Sequence, residues 1–126
     1  MDNAGYLART SDHGYETCVE HLSMVSCFAG SFASRFGYLE EGLIAGLLHD
    51  AGKYSDAFQK RIRDPENTST VDHSTLGAVL AFRMRHIPSA FSIAGHHSGL
   101  PNGGNRWSLD PSTLRGRIEK IERESS

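Results

Sequence analysis

The sequence has few of the features that mark secreted, membrane-spanning or thiolate-zinc proteins. Its 126 residues contain only two cysteines, with no CxxC motif, which argues against a zinc site built from thiolates. Cys18 and Cys27 lie on opposite faces of one predicted helix, so they do not pair, and we interpret both as small buried side chains. No apolar run approaches the roughly 20 residues of a membrane span, and no signal peptide is visible. We therefore expect a cytoplasmic protein with no membrane partner.

An excess of charge of one sign is also absent. Thirteen Lys and Arg against fifteen Asp and Glu give a formal net charge of −2, so no overall positive field points to nucleic acid. Any such partner has to be bound locally, and the basic clusters at 60–63 and 83–85 give only thin support for it. The length predicts one domain, 1–126, and the 38% hydrophobic and 22% charged fractions are typical of a globular chain.

The hydrophobic spacing predicts an all-α fold, an irregular bundle of five to six helices without strands. The apolar stripe of the first predicted helix includes Val19 and Phe32, which we expect on its inner face. The second predicted helix is apolar enough to be central and mostly buried. Ser55 is the expected N-cap of the third helix, and Asp110 followed by Pro111 is the expected start of the last. The predicted helices cover about 15–36, 40–51, 56–63, from 72 or 74 to before Pro88, 89–97, and a final segment from 110 through Ile121.

Seven histidines are many for so short a chain. His49 and Asp50 end the apolar second helix, where burying an imidazole and a carboxylate is costly unless both are paired. A metal ion would satisfy both groups, whereas a simple hydrogen bond at a helix end is the alternative for this pair taken alone. Further imidazoles come from other predicted helices, namely those of His21, His73, His96 and His97.

The candidate donors are five imidazoles and one carboxylate, and they come from four helical segments. Helical bundles build polynuclear metal sites in this way, from side chains on facing helices. Six donors exceed the needs of one tetrahedral ion, and a carboxylate can bridge two ions, so the pattern favours two metals with Asp50 between them. The nitrogen-rich donor set suits Mn, Fe, Co, Ni or Zn, with Mg as a weaker substitute.

These residues resemble the HD superfamily of metal-dependent phosphohydrolases. Within that superfamily the chain is similar to the HD nuclease domain of type I CRISPR systems, over roughly Glu20 to Pro101. The similarity is carried, in the expected order, by Leu47-Leu48-His49-Asp50-Ala51-Gly52-Lys53, Phe58-Gln59, Asp72-His73-Ser74, Gly77-Ala78 and Ile93-Ala94-Gly95-His96-His97-Ser98-Gly99-Leu100-Pro101.

The resemblance implies a nuclease that nicks and degrades single-stranded DNA with two metal ions. It would work with a helicase, fused or separate, that an RNA-guided surveillance complex recruits. One ion would bind His21, His49 and Asp50, and the second would share Asp50 with the remaining three histidines, His73, His96 and His97. No protein nucleophile is needed, since the metals would activate water.

Lys53 is the second residue for which the resemblance implies a catalytic role, alongside Asp50. It follows Asp50 by three residues, and it would meet the scissile phosphate. A lysine that offsets the macrodipole at a helix C-terminus is the alternative. Ser74 could bind a phosphate or cap a helix.

The chain departs from the family pattern in one respect. The pattern has a further Asp on a downstream helix, whereas here only Asp110 follows His97, and its position before Pro111 favours a helix cap. We therefore expect a nuclease domain truncated at its C-terminal end and short of one ligand.

Two other functions stay open. One is a nucleotide or cyclic-dinucleotide phosphohydrolase of the same superfamily, although one such branch continues with Asp-Gly-x-Gly-Tyr-Pro where this chain has Ser98-Gly99-Leu100-Pro101. The other is a catalytically incomplete fragment that binds metal or a partner.

Overall fold

The computed structural model describes residues 5–97, 99–105 and 110–124. Over these ranges the chain forms a two-stranded hairpin, six α-helices and one short 3₁₀ turn, so the predicted helical bundle is confirmed. The elements are β1 (Leu7–Ser11), β2 (Gly14–Thr17), α1 (Cys18–Ser34), α2 (Leu39–Leu48), the 3₁₀ turn (Ala51–Tyr54), α3 (Asp56–Arg63), α4 (Thr75–Arg83), α5 (Ile87–Gly95) and α6 (Leu114–Glu124).

The antiparallel hairpin β1–β2 corrects two predictions, because the sequence indicated no strand and placed the start of the first helix near Tyr15. Arg9 pairs with Glu16 across the hairpin. Thr17 then ends the strand and begins the helix. Its hydroxyl accepts from the Glu20 backbone N–H at 3.2 Å, and the Glu20 carboxylate accepts from the Thr17 N–H at 3.0 Å. This capping box fixes the helix start at Cys18, because it satisfies two N–H groups that a helix leaves unpaired.

The buried amide of Gln59 in α3 fastens the hairpin to the rest of the protein. Its Oε1 accepts from the Leu7 N–H and its Nε2 donates to the Leu7 carbonyl, both at 2.9 Å. The same Nε2 donates to the Lys53 carbonyl at 2.6 Å. A small apolar cluster of Ala8, Cys18 and Leu22 lies beneath. The hairpin is therefore anchored beside the 3₁₀ turn that follows α2.

The main core lies between α4, α5 and α6, and the side chains of Ile44 and Leu48 in α2 pack against it. The core residues are Ala78, Val79, Ala81, Ala90, Ile93, Ala94, Leu114 and Ile118. Burying these apolar side chains is the main favourable contribution to folding. Among the described helices, none is both long and apolar enough to cross a membrane.

Helix α2 is central but less buried than its apolar sequence suggested, since Leu43 and Leu47 are exposed. Its fully buried positions are Gly42 and Gly46, which lie against the α1 backbone. A Cβ on Gly46 would be 2.5 Å from the Ser26 Cα. Close glycine packing thus joins α1 to α2 and turns several larger side chains outward.

Helix α1 buries a narrower stripe than the sequence predicted. Val19 and Phe32, both expected on its inner face, are 65% exposed, and Cys27 is exposed as well. Cys18 is buried, and both cysteines are free, so the prediction of two buried thiols was wrong for Cys27 only.

The helix ends test the predicted caps. Helix α3 spans its predicted residues, and the Ser55 hydroxyl accepts from the Phe58 N–H at 3.1 Å. The prediction for α6 was wrong, since Pro111 does not occupy its first position. The Asp110 carboxylate instead accepts from the Ser112 N–H at 2.9 Å, an Asx turn, and the Thr113 hydroxyl caps the helix by accepting from the Gly116 N–H at 3.1 Å.

Candidate metal centre

The candidate metal centre is built where α2 ends. The chain leaves α2 at Leu48, so His49 and Asp50 occupy the junction with the 3₁₀ turn. The Gly52 N–H donates to the His73 carbonyl at 3.1 Å, and a Cβ on Gly52 would lie 2.4 Å from that oxygen. The absence of a side chain at Gly52 therefore allows the segment before α4 to bring His73 against the end of α2.

All six residues predicted as ligands come together at this junction. They form two overlapping groups in which the donor atoms lie within 4.8 Å of one another. His21 comes from α1, and His96 and His97 directly follow α5. The groups are His21, His49 and Asp50, and Asp50, His73, His96 and His97.

Asp50 is the residue that the two groups share, and its two oxygens face different histidines. Oδ2 lies 3.1 Å from the Nε2 of His49 and 3.3 Å from the Nε2 of His21. Oδ1 lies 3.1 Å from the Nε2 of His96 and 3.5 Å from the Nε2 of His73. The side chain is only 5% exposed. This split allows Asp50 to contribute an oxygen to each of the two groups.

The outer nitrogens of two rings show why a cation fits here. The Nδ1 of His49 lies 2.6 Å from the Gly46 carbonyl, and that of His96 lies 2.7 Å from the Ile93 carbonyl. Because a carbonyl can only accept, each Nδ1 carries a proton, so in the neutral ring Nε2 presents a lone pair. Those lone pairs face the Asp50 carboxylate, and acceptors facing acceptors need a proton or a metal ion between them.

Electrostatics favour the ligand forms of Asp50 and His73 but oppose that of His96. Burial by itself raises the pKa of Asp50, but the close contacts with His49 and His96 and the Lys53 ammonium lower the pKa by more, so the group is ionised at neutral pH. Burial lowers the pKa of His73, which favours the neutral ring. The contact with Asp50 has the opposite effect on His96 and raises its pKa.

Comparison with known proteins agrees with this geometry. An HD-domain family model matches residues 18–123, from the start of α1 into α6, and the matched segment contains all six residues of the two groups. The chain belongs to the HD-domain family. HD domains are typically metal-dependent hydrolases, and this HD domain has a His and Asp cluster suited to divalent cations. No curated protein shows significant sequence similarity to the chain.

Lys53 of the HD domain lies within the cluster rather than at its edge. Its Nζ is 3.0 Å from Asp50 Oδ2 and 3.1 Å from the Ala8 carbonyl of β1, and its side chain is 14% exposed. The 3₁₀ turn after α2 brings the two side chains to the same side. The proposed contact of Lys53 with a phosphate stays a prediction.

Two residues that contact the cluster or the helix ends around it were not indicated by the sequence pattern. Arg117 of α6 donates to the Ala94 carbonyl at 2.6 Å and to the hydroxyls of Thr75 and Ser74, so it ties the end of α5 to the start of α4. Its place in a charged helix gave no signal of this. Glu16 of β2 faces the Nδ1 of His21 at 3.5 Å, and it could be found only once the hairpin was known.

Other candidate residues lie outside the cluster. Asp110 is not part of it, since its carboxylate accepts from Ser112. Two arginines suggested for nucleic acid are engaged elsewhere, because Arg61 donates to the Thr68 carbonyl and Arg63 to the Gln59 side chain at 2.7 Å. The hydroxyl of Ser74 lies between Arg117 and Asp72.

An open groove of about 540 Å³ adjoins the second group of donors. His73 and His97 lie on its wall, together with Arg117 and Lys120 of α6. The Nε2 atoms of His73 and His97 are 2.7 Å apart. A phosphate ester in this groove would therefore have access to the metal centre from the α6 side.

Proposed function

We propose that this HD domain is a metal-dependent phosphodiesterase that cleaves single-stranded DNA, as the nuclease of a type I CRISPR system. The observation that carries the hydrolytic part is the split of the Asp50 oxygens, with His21 and His49 on one side and His73 and His96 on the other. The resemblance of the run from Ile93 to Pro101 to CRISPR-associated HD nucleases supports the choice of DNA.

The donor set supports two divalent ions. His21 and His49 would hold one ion, and the remaining three histidines the other, with Asp50 shared. Imidazole donors favour Mn, Fe, Co, Ni or Zn over Mg, which prefers oxygen. Divalent ions bound there supply positive charge to a phosphodiester and lower the pKa of coordinated water.

The protein's own contribution is to hold charges in place around the phosphate. The ionised Asp50 carboxylate fixes the two groups of histidines relative to each other. The Lys53 ammonium, held between the Ala8 carbonyl and Asp50, would bind a non-bridging phosphate oxygen when substrate enters. The open groove along α6 suits an extended strand, and Lys120 on its wall, which is exposed and 4.0 Å from Glu124, would exchange that surface ion pair for a contact with a phosphate.

The groove also favours one alternative. Its volume of about 540 Å³ lies within the usual range for small-molecule sites, which suits a nucleotide or a cyclic dinucleotide. The catalytically incomplete fragment is the other alternative.

A substrate comparison in Mn²⁺ tests these possibilities. We expect the protein to nick circular single-stranded DNA, Asp50→Ala and His73→Ala to abolish nicking, and His13→Ala to leave it unchanged, because His13 is an exposed histidine that belongs to neither group. Hydrolysis of cyclic dinucleotides or nucleoside triphosphates without DNA cleavage would refute the proposal. Metal binding without any turnover would favour the incomplete fragment.

The proposed partners are a helicase and an RNA-guided surveillance complex in the cytoplasm. Exposed aromatic side chains on α1 support a protein partner, since Phe28 and Phe32 are 62% and 65% exposed and clustered exposed apolar residues commonly mark interfaces. Phe32→Ser is expected to weaken binding to a CRISPR helicase while Mn²⁺ affinity stays unchanged. If the wild type and Phe32→Ser bind the helicase equally well, the exposed face of α1 is not the helicase-binding surface.

A further inference from the structure

Glu16 lies on the outer side of the metal centre, on a strand that carries none of the predicted ligands. Its Oε2 is buried and accepts no hydrogen bond of ordinary geometry from the described residues. The Nδ1 of His21 lies 3.5 Å from this oxygen, and the Nη2 of Arg9 lies 3.3 Å from it. A buried oxygen that lacks a hydrogen bond destabilises the fold. We therefore expect Glu16 Oε2 to accept a hydrogen bond from a second group, besides its ion pair with Arg9, in the working protein.

The ring of His21 is oriented so that Glu16 can be that partner. Its Nε2 points into the cluster, 3.3 Å from Asp50 Oδ2 and 3.2 Å from the Nε2 of His49. A histidine that binds a cation through Nε2 carries its proton on Nδ1. The Nδ1–H groups of His49 and His96 donate hydrogen bonds to backbone carbonyls at 2.6 and 2.7 Å. The Nδ1 of His21 faces a carboxylate instead.

We propose that Glu16 is a positioning residue that accepts the Nδ1 proton of His21 and holds Nε2 toward Asp50. This role rests on the proposed function, because it needs His21 to bind a divalent ion. A carboxylate behind an imidazole fixes its tautomer and raises its basicity, which makes it a stronger ligand. Arg9, the strand partner of Glu16, holds the carboxylate from the solvent side.

The charge balance of the first group supports the same role. His21, His49 and Asp50 offer three donors but only one negative charge. The Lys53 ammonium, 3.0 Å from Asp50 Oδ2, offsets part of that charge. Glu16 places a second carboxylate behind one of the imidazoles without entering the donor set, and the exposed Arg9 guanidinium on its solvent side offsets only part of that charge.

Titration of the metal-free protein with Mn²⁺ by calorimetry tests this role. Glu16→Ala is expected to weaken binding at one of the two ions by about 10- to 100-fold, as is typical when an outer partner of a ligating histidine is lost. Glu16→Gln keeps an oxygen that can accept from Nδ1 but loses the negative charge, so its affinity is expected to lie between those of Glu16→Ala and the wild type. Asp12→Ala is the matched control, since Asp12 is an exposed carboxylate in the turn of the same hairpin.

Thermal unfolding without metal separates positioning from simple support of the hairpin. A lower melting temperature for Glu16→Ala with wild-type Mn²⁺ affinity would overturn the proposal, because Glu16 would then only stabilise the hairpin. Wild-type protein that binds no Mn²⁺ would instead refute the proposed function.

Histidine NMR of the Zn²⁺-loaded wild type gives a second readout if Glu16→Ala does not fold. We expect His21 to be protonated at Nδ1, and its ¹⁵Nδ1 shift to move in Glu16→Gln while that of His49 stays in place. A His21 ring protonated at Nε2 in the loaded protein would overturn the proposal.

Discussion

Replacing Gly77 by alanine is expected to disturb the metal centre from behind. Gly77 lies in α4 against the last residue of α2, and a Cβ there would be 1.8 Å from the Leu48 carbonyl oxygen. That distance is about 1.6 Å shorter than an ordinary van der Waals contact. Neither atom can rotate away, because the Cβ is fixed to the Gly77 backbone and the oxygen belongs to the Leu48 backbone. Since His49 and Asp50 follow Leu48, α4 can move away only by separating His73 from Asp50.

The size of the effect follows from two opposing contributions. Overpacking a rigid contact costs about 3 kcal/mol, at the upper end of the usual range, whereas alanine in a helix is about 1 kcal/mol better than glycine. The net loss is about 2 kcal/mol of unfolding free energy. For a chain of this length we expect a melting temperature lower by about 6–10 °C.

Far-UV circular dichroism of the metal-free protein measures the shift, and Mn²⁺ calorimetry measures the site. Gly30→Ala is the matched control, because the nearest atoms to its added Cβ are side-chain carbons of Leu43 and Leu39, which can move. We expect it to change the melting temperature by less than about 3 °C. A melting temperature for Gly77→Ala equal to or above that of the wild type would refute the reasoning.

Two further predictions concern charged groups. Lys53→Met removes an ammonium beside Asp50 and is expected to strengthen Mn²⁺ binding. It is also expected to slow DNA nicking at least about tenfold, as loss of a charged contact to phosphate does. An unchanged nicking rate would exclude a contact between Lys53 and the phosphate. Burial by itself raises the pKa of Glu41, but hydrogen bonds from Ser89 and His86 lower it by more, to below its ordinary value of 4.5. This contact therefore stabilises the fold above about pH 4.5 and the stabilisation is lost as pH falls through the lowered pKa. In urea unfolding, Glu41→Gln should be less stable than the wild type near pH 7, and the difference should shrink in acid. The control Glu40→Gln changes a carboxylate that is 81% exposed and should behave like the wild type. A stability difference for Glu41→Gln that stays constant at all pH values would contradict the linkage.

Local sequence signals predicted the parts of the fold that depend on local physics. Helix α3 was predicted to the residue because Ser55 is a side-chain cap whose hydroxyl bonds within one turn. The six clustered residues were predicted as one site because imidazoles beside apolar helical stripes need partners, and the structure brings them together.

Most of the remaining errors come from interactions between distant residues, and one comes from two competing local caps. The strands of the hairpin show little hydrophobic alternation, and β1 is held by Gln59, which lies 52 residues along the chain. The start of α6 was misplaced because Asp110 and Thr113 are both good caps, and the Ser112 contact decided between them. Phe32 was assigned to the core because spacing alone does not show that Gly42 and Gly46 bring α2 so close to α1.

The hydrogen bonds between Gln59 and the Leu7 backbone hold the hairpin to the core, so the part of the metal centre that contacts the hairpin depends on whether the hairpin stays attached. A two-stranded hairpin is at best marginally stable by itself in water, and this one carries the carbonyl that holds Lys53 and the carboxylate behind His21. Fraying at this edge needs far less free energy than global unfolding. Opening of β1 would leave the six clustered residues in place but release Lys53 and the carboxylate behind His21, so hydrogen exchange of β1 would report on this part of the site separately from the melting temperature of the helical core.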